Sequence, residues 1–141
     1  MTKQDRLVEI ADYTRFIKKL YDEYVPQMAD DVQIILFGFS QGCATQIRWM
    51  MGEFPIFHHL VLWAGLLPED LDYTPHSNYF SQKKLYWVCG NQDQFINEEK
   101  TKWHHDFMKE QSLNFETIRF EGKHEIDRTE LQKLFLSLIH I

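Results

Sequence analysis

Residues 32–42 read Val32-Gln33-Ile34-Ile35-Leu36-Phe37-Gly38-Phe39-Ser40-Gln41-Gly42. An apolar, β-rich run leads into Gly38-x-Ser40-x-Gly42, and the segment behind it, Gln41 to Glu53, carries a helical pattern. A Gly-x-Ser-x-Gly at a strand-to-helix junction is the pattern of a nucleophile elbow. There a serine is held on a sharp, strained turn, and small residues on both sides let the backbone fold tightly. The competing reading is an ordinary glycine-rich βα turn. The rest of the chain decides between them.

Upstream, residues 3–25 form an amphipathic helix with Leu7, Ile10, Ala11, Ile17, Leu20, Tyr21 and Tyr24 at helical spacing. Thr2 and Asp5 suit a capping box, and Pro26 ends the helix. The strand is expected over 32–37, followed by a helix with Ala44, Ile47 and Met51 on its inner face. Further strands read at Leu60–Ala64, Lys84–Cys89 and Phe115–Phe120. Asn97 suits the cap of another helix, with Glu98 and Glu99 in its first turn and Trp103, Phe107 and Met108 toward the core. Asp127 and Glu130 suit a second capping box, opening a last helix that buries Leu131, Leu134, Phe135 and Leu138. Strands alternating with helices imply an α/β fold: a parallel sheet of about four strands with helices on both faces, in one domain over 1–141.

The chain has 141 residues, a net charge of −6, four Trp and eleven Phe. That suffices for one modest core. Lys and Arg do not cluster, which argues against nucleic acid or anionic membranes as partners. No apolar run is long enough to span a bilayer, and no secretory signal precedes the first helix. Cys43 and Cys89 read as two buried reduced thiols, which suits a cytoplasmic protein.

Three polar residues fall just past three different strands: Ser40 after the first, Asp93 after the third, His124 after the fourth. Ligands and catalytic groups of open parallel sheets collect at that edge. Serine needs a base to take its proton, histidine supplies one near neutral pH, and a carboxylate on the second ring nitrogen fixes the tautomer. The order Ser, Asp, His along the chain is the hydrolase order. Taken singly, Asp93 reads as a turn cap and His124 as a loop histidine; their joint placement favours a triad. Glu69, Asp70 and Asp72 read as solvated loop charges, and Glu125 as pointing elsewhere. The pairs His58-His59 and His104-His105 diverge on strand or helix, so they read as surface or capping histidines and no metal site is expected. Cys43 reads as helix packing. Phe39, Trp63 and Phe95 are candidates for lining a substrate pocket, or ordinary core.

On these residues the chain resembles the phospholipase/carboxylesterase group of α/β-hydrolases, which includes acyl-protein thioesterases. The resemblance rests on Gly38-Phe39-Ser40-Gln41-Gly42, Trp63-Ala64-Gly65, Gly90-Asn91-Gln92-Asp93 and Phe120-Glu121-Gly122-Lys123-His124-Glu125-Ile126. It implies hydrolysis of small-molecule carboxylic esters or thioesters by a Ser40–His124–Asp93 triad through an acyl-enzyme, without a cofactor. It also implies that the backbone N–H of Gln41 gives one oxyanion donor. What is present resembles strands five to eight of that fold, a truncated α/β-hydrolase lacking the N-terminal strands. In such hydrolases the loop after the third strand gives the other oxyanion donor; losing one donor costs about 10²–10³ in rate.

The strand at 32–37 is apolar throughout, as if buried with neighbours on both sides, yet it would stand at a sheet edge. Three origins fit: a piece of a longer hydrolase, a homodimer paired through 32–37, or an edge covered by the first helix. A non-catalytic domain that binds itself or a protein partner through this edge is the alternative to an enzyme.

Overall fold

The computed structural model describes residues 2–139. The first helix, α1 (Lys3–Tyr24), opens on the expected capping box: Thr2 and Asp5 each accept the other's backbone N–H. A 3₁₀ turn at Val25–Gln27, with Pro26 inside it, ends the helix. Then follow β1 (Ile35–Phe39), α2 (Gln41–Glu53), β2 (His59–Trp63), α3 (Ser77–Phe80), β3 (Lys84–Gly90), α4 (Glu98–Glu110), β4 (Glu116–Phe120) and α5 (Arg128–Ile139). The strands form one parallel sheet in the order β1-β2-β3-β4.

Parallel strands in chain order, joined by right-handed crossovers, place every connecting helix on the same face. Accordingly Cys43, Ile47 and Met50 of α2, Phe80 of α3 and Met108 of α4 share one core with Leu60, Leu62, Leu85 and Trp87. α5 covers the other face, where Leu134 and Leu138 pack with Val61, Trp63, Tyr86, Val88 and Phe120. Side chains alternate across a strand, so β2 sends Leu60 and Leu62 one way and Val61 and Trp63 the other. All five residues of β2 are buried, as an inner parallel strand requires.

The structure revises several local expectations. β1 begins at Ile35 rather than residue 32 and runs on through Gly38 and Phe39, because those residues pair in register with Leu62 and Trp63. α2 buries Cys43, Gln46, Ile47, Trp49 and Met50, while Ala44 and Met51 are only half-buried. Its inner stripe is turned because α1 lies along α2, with Tyr21 against Trp49 at 5.3 Å between ring centroids. α1 itself buries no residue; Leu7, Leu20 and Tyr24 are exposed, and Ile17 and Tyr21 make its apolar contact. On α4 the cap at Asn97 is present, accepting the N–H of Lys100. The stripe there holds Thr101, His104 and Met108, and Trp103 is exposed. Asp127 accepts the N–H of Glu130 at the start of α5.

Candidate active site

Ser40 follows the last residue of β1 and stands before the first residue of α2. Its φ of 55° and ψ of −122° put a β-carbon residue in a strained region. The strain is held from several sides. The N–H of Ser40 donates to the carbonyl of Trp63 at 2.8 Å, its carbonyl accepts the N–H of Cys43 at 3.1 Å, and the Cys43 thiol donates to Gly38 O at 3.2 Å. A Cβ on Gly38 would lie 2.8 Å from the Cα of Cys43, and one on Gly65 would lie 2.4 Å from Ser40 O. These two glycines permit close approach of backbones. Gly42, the second glycine of the motif, has open space around its missing Cβ, so in this chain only the first is sterically required.

Asp93 lies three residues past β3, and its carboxylate has no exposed surface. One oxygen, Oδ1, accepts the N–H groups of Phe95 at 2.8 Å and Ile96 at 3.3 Å. The other, Oδ2, stands 2.7 Å from His124 Nδ1. Asp93 is thus a turn cap and a histidine partner at once. A carboxylate oxygen only accepts, so Nδ1 is the protonated nitrogen of His124. Nε2 is left with its lone pair 2.9 Å from Ser40 Oγ, where the hydroxyl can donate to it. The three residues expected from the sequence therefore meet in one chain of hydrogen bonds at the C-terminal edge of the sheet.

His124 stands in a loop between β4 and α5, flanked by Phe39 at 5.3 Å and Phe95 at 4.8 Å between ring centroids. Phe95 is exposed and Phe39 half-buried. Trp63 has no exposed surface: it packs between Phe37 and Phe120, and its indole N–H donates to Glu125 O at 2.8 Å. It is a core residue, with no surface to line a pocket. Gln41 opens α2 directly after Ser40, at the helix end whose first backbone N–H groups have no preceding turn to bond.

The other candidates sort elsewhere. Arg48 holds Asp70 in a two-pronged pair, which lowers the Asp70 carboxyl, and Asp72 caps Thr74. His58 accepts the N–H of Ile34; His59 is no surface histidine, because β2 is an inner strand that buries it, and its ring bonds Gln33. His104 departs from the surface reading: it is fully buried against Trp87, and Nε2 accepts the N–H of Leu67 at 2.9 Å. Burial pushes its pKa down to about 3. Burial pushes the Cys43 thiol up to about 12, which leaves it no nucleophile. Both cysteines are free and buried. Among the described residues no group of three or more His, Cys, Asp or Glu could hold a metal ion, and no helix is long and apolar enough to cross a membrane.

The sequence of the phospholipase/carboxylesterase family matches residues 2–140. The chain belongs to this family. No curated protein matches it closely enough to name a nearer relative. Among solved structures it is similar to SOBER1 of Arabidopsis thaliana, with TM-score 0.65 and 18% identity over 89% of this chain and 60% of that one. Acyl-protein thioesterase 2 of Zea mays gives TM-score 0.67 and 16% identity over 94% of this chain and 63% of that one. An uncharacterized protein of Bacillus cereus gives TM-score 0.71 and 21% identity over 94% of this chain and 44% of that one. At such identities the likeness is one of fold: an α/β-hydrolase sheet. The chain spans about three fifths of the length of the two plant proteins.

Proposed function

We propose that this chain is a serine hydrolase of carboxylic esters or thioesters, with Ser40 as nucleophile, His124 as base and Asp93 as its orienting carboxylate. The observation that carries the reading is the pair of distances from Ser40 Oγ through the imidazole to Asp93: 2.9 Å and 2.7 Å. Family membership supports hydrolysis, and the name of the maize acyl-protein thioesterase supports the thioester class.

In this mechanism Ser40 Oγ attacks the substrate carbonyl while His124 Nε2 takes the hydroxyl proton. Asp93 stabilises the imidazolium that forms. The tetrahedral oxyanion takes a hydrogen bond from Gln41 N–H. His124 then gives its proton to the departing alcohol or thiol as the carbonyl re-forms, leaving the acyl group on Ser40. Water, deprotonated by the same Nε2, releases the acid. No step calls for a cofactor. A site with one oxyanion donor in place of two runs about 10²–10³ slower. Turnover by this chain is therefore a harsher test than reactivity of its serine.

The test is a fluorophosphonate probe on the folded chain, with Ser40→Ala as control. Wild type is expected to label at Ser40 and Ser40→Ala not at all. A folded wild type that resists the probe ends the proposal. Labelling without ester turnover would mean an intact triad in an incomplete site.

A second reading rests on β1, which pairs on one side only among the described residues. The N–H of Ser40 points to β2, so by the period of two the N–H groups of Ile35, Phe37 and Phe39 face the open edge. Beside them runs a groove of about 450 Å³ walled by Ile17, Leu20, Tyr21 and Trp49. In this reading a second copy of the chain pairs there. Sedimentation as a monomer with rapid exchange of those three amides excludes it.

A further inference from the structure

The geometry points to Trp63 as a positioning residue that sets the distance between Ser40 and His124; this rests on the serine-hydrolase reading above. Trp63 is the last residue of β2 and the partner of Phe39 across the sheet. It makes two bonds to the candidate machinery. Its carbonyl accepts the N–H of Ser40, and its indole N–H, 62 residues away in sequence, donates to the carbonyl of Glu125, next to His124. Both bonds are 2.8 Å.

The His124 loop needs such an anchor. Residues 121–127 have no regular structure. Before His124 the loop is tied to β3's exit: Gln92 N–H donates to Gly122 O at 2.8 Å, and Gly122 N–H meets Asn91 Oδ1 at 3.3 Å. After His124 the backbone makes only a local bond, Glu125 N–H to Lys123 O, until Asp127 caps α5; Glu125 and Ile126 are exposed. Among the described hydrogen bonds, the indole of Trp63 supplies the tertiary tie on that side.

The tie is stiff for a physical reason. The indole is fully buried between Phe37 and Phe120, and a buried N–H without an acceptor bears its whole desolvation penalty. Glu125 O meets that demand in the same loop conformation that brings Nε2 to 2.9 Å from Ser40 Oγ. The other constraints on His124 act differently. Asp93 fixes the tautomer and ring direction, and Phe39 and Phe95 flank the ring. Among the described residues, Trp63 alone bonds both the nucleophile's backbone and the base's loop. Misplacement by about 1 Å can cost about 10²-fold in rate.

The test removes the N–H and keeps the ring. Trp63→Phe is the simple variant. Replacing Trp63 by benzothienylalanine, which has the same shape with sulfur in place of N–H, covers the case where the smaller ring fails to fold. Labelling by the fluorophosphonate probe is read as kinact and KI, together with the low-field proton NMR signal of His124 Nδ1–H. We expect kinact to fall about 10–100-fold with KI unchanged, and the low-field signal to broaden or vanish. A variant that folds, labels at the wild-type kinact and keeps the signal overturns the proposal and leaves the hydrolase reading standing. A folded wild type that the probe does not label overturns both.

Discussion

β1 and β2 lie side by side in register, five residues each, and both are apolar but for His59 at the start of β2. They end alike, on residues with φ of 55°: Ser40 after β1 and Ala64 after β2. Yet every residue of β2 is buried, and of β1 only Gly38. Composition does not separate them; the number of neighbouring strands does. The candidate nucleophile stands on the less supported strand, and its strained backbone is held by the better supported one, through Trp63 O and the close approach of Gly65. The inner strands hold the turn and the carboxylate; the two outer strands, β1 and β4, lead into the candidate nucleophile and its base. That division can be tested from the inside outward.

The largest effect is expected from Asp93→Asn, past β3 on the inner side. Asn keeps an oxygen for the N–H groups of Phe95 and Ile96, so the turn should survive. Its amide would then donate to Nδ1 of His124, forcing the ring proton onto Nε2, where it faces Ser40 and blocks proton uptake. Probe reactivity of Ser40 should fall about 10⁴-fold with little change in thermal stability. Undiminished labelling would move the source of the serine's reactivity off the inner strands and break the comparison.

Next in size is a pH effect on the inner side. His104 is buried neutral, its pKa held down to about 3 by burial and then by His105. An unfolded histidine titrates near 6.5. Between those values the unfolded chain binds the extra proton. Stability is therefore full above about pH 6.5 and falls as pH drops toward 3, by at most about 1.4 kcal/mol per pH unit from this group. His104→Gln can still accept from Leu67 N–H but cannot titrate. Urea unfolding from pH 7 to 4 should show a shallower loss in that variant. Equal slopes would mean that His104 does not carry the acid sensitivity.

Much of this was legible in the sequence where local rules dominate. The capping box of Thr2 and Asp5, the cap at Asp127, the bounds of α2 and the order Ser40, Asp93, His124 follow from caps, glycines and strand ends. What stayed hidden was orientation. Alternation along β2 shows that Val61 and Trp63 share a face, but not that this face belongs to α5. Trp63 therefore reads as either a pocket residue or ordinary core, and the structure makes it core. The inner stripe of α2 was misread because α1 packs along α2, and no pattern within α2 records that. The start of β1 depends on register with His59, a pairing between segments 24 residues apart. His104 sat beside His105 and so looked solvated, yet only its partner remains exposed.

The smallest effects, and the sharpest contrast, come from two glycines flanking the same turn. Neither has a positive φ, so each reports on space alone. At Gly65, beyond β2, a Cβ would meet Ser40 O at 2.4 Å and the Cys43 sulfur at 2.5 Å. Both the elbow and the start of α2 would have to move, so Gly65→Ala should lose about 1–3 kcal/mol and most probe reactivity. At Gly42, in the first turn of α2, a Cβ meets nothing within 4 Å. Alanine there removes backbone entropy from the unfolded chain, so Gly42→Ala should gain about 0.5–1 kcal/mol while Ser40 labels as before. Calorimetry with probe labelling on both variants separates the two positions. If Gly42→Ala were as harmful as Gly65→Ala, the elbow would need its second glycine for more than space, and support for Ser40 would come from its own helix as much as from β2.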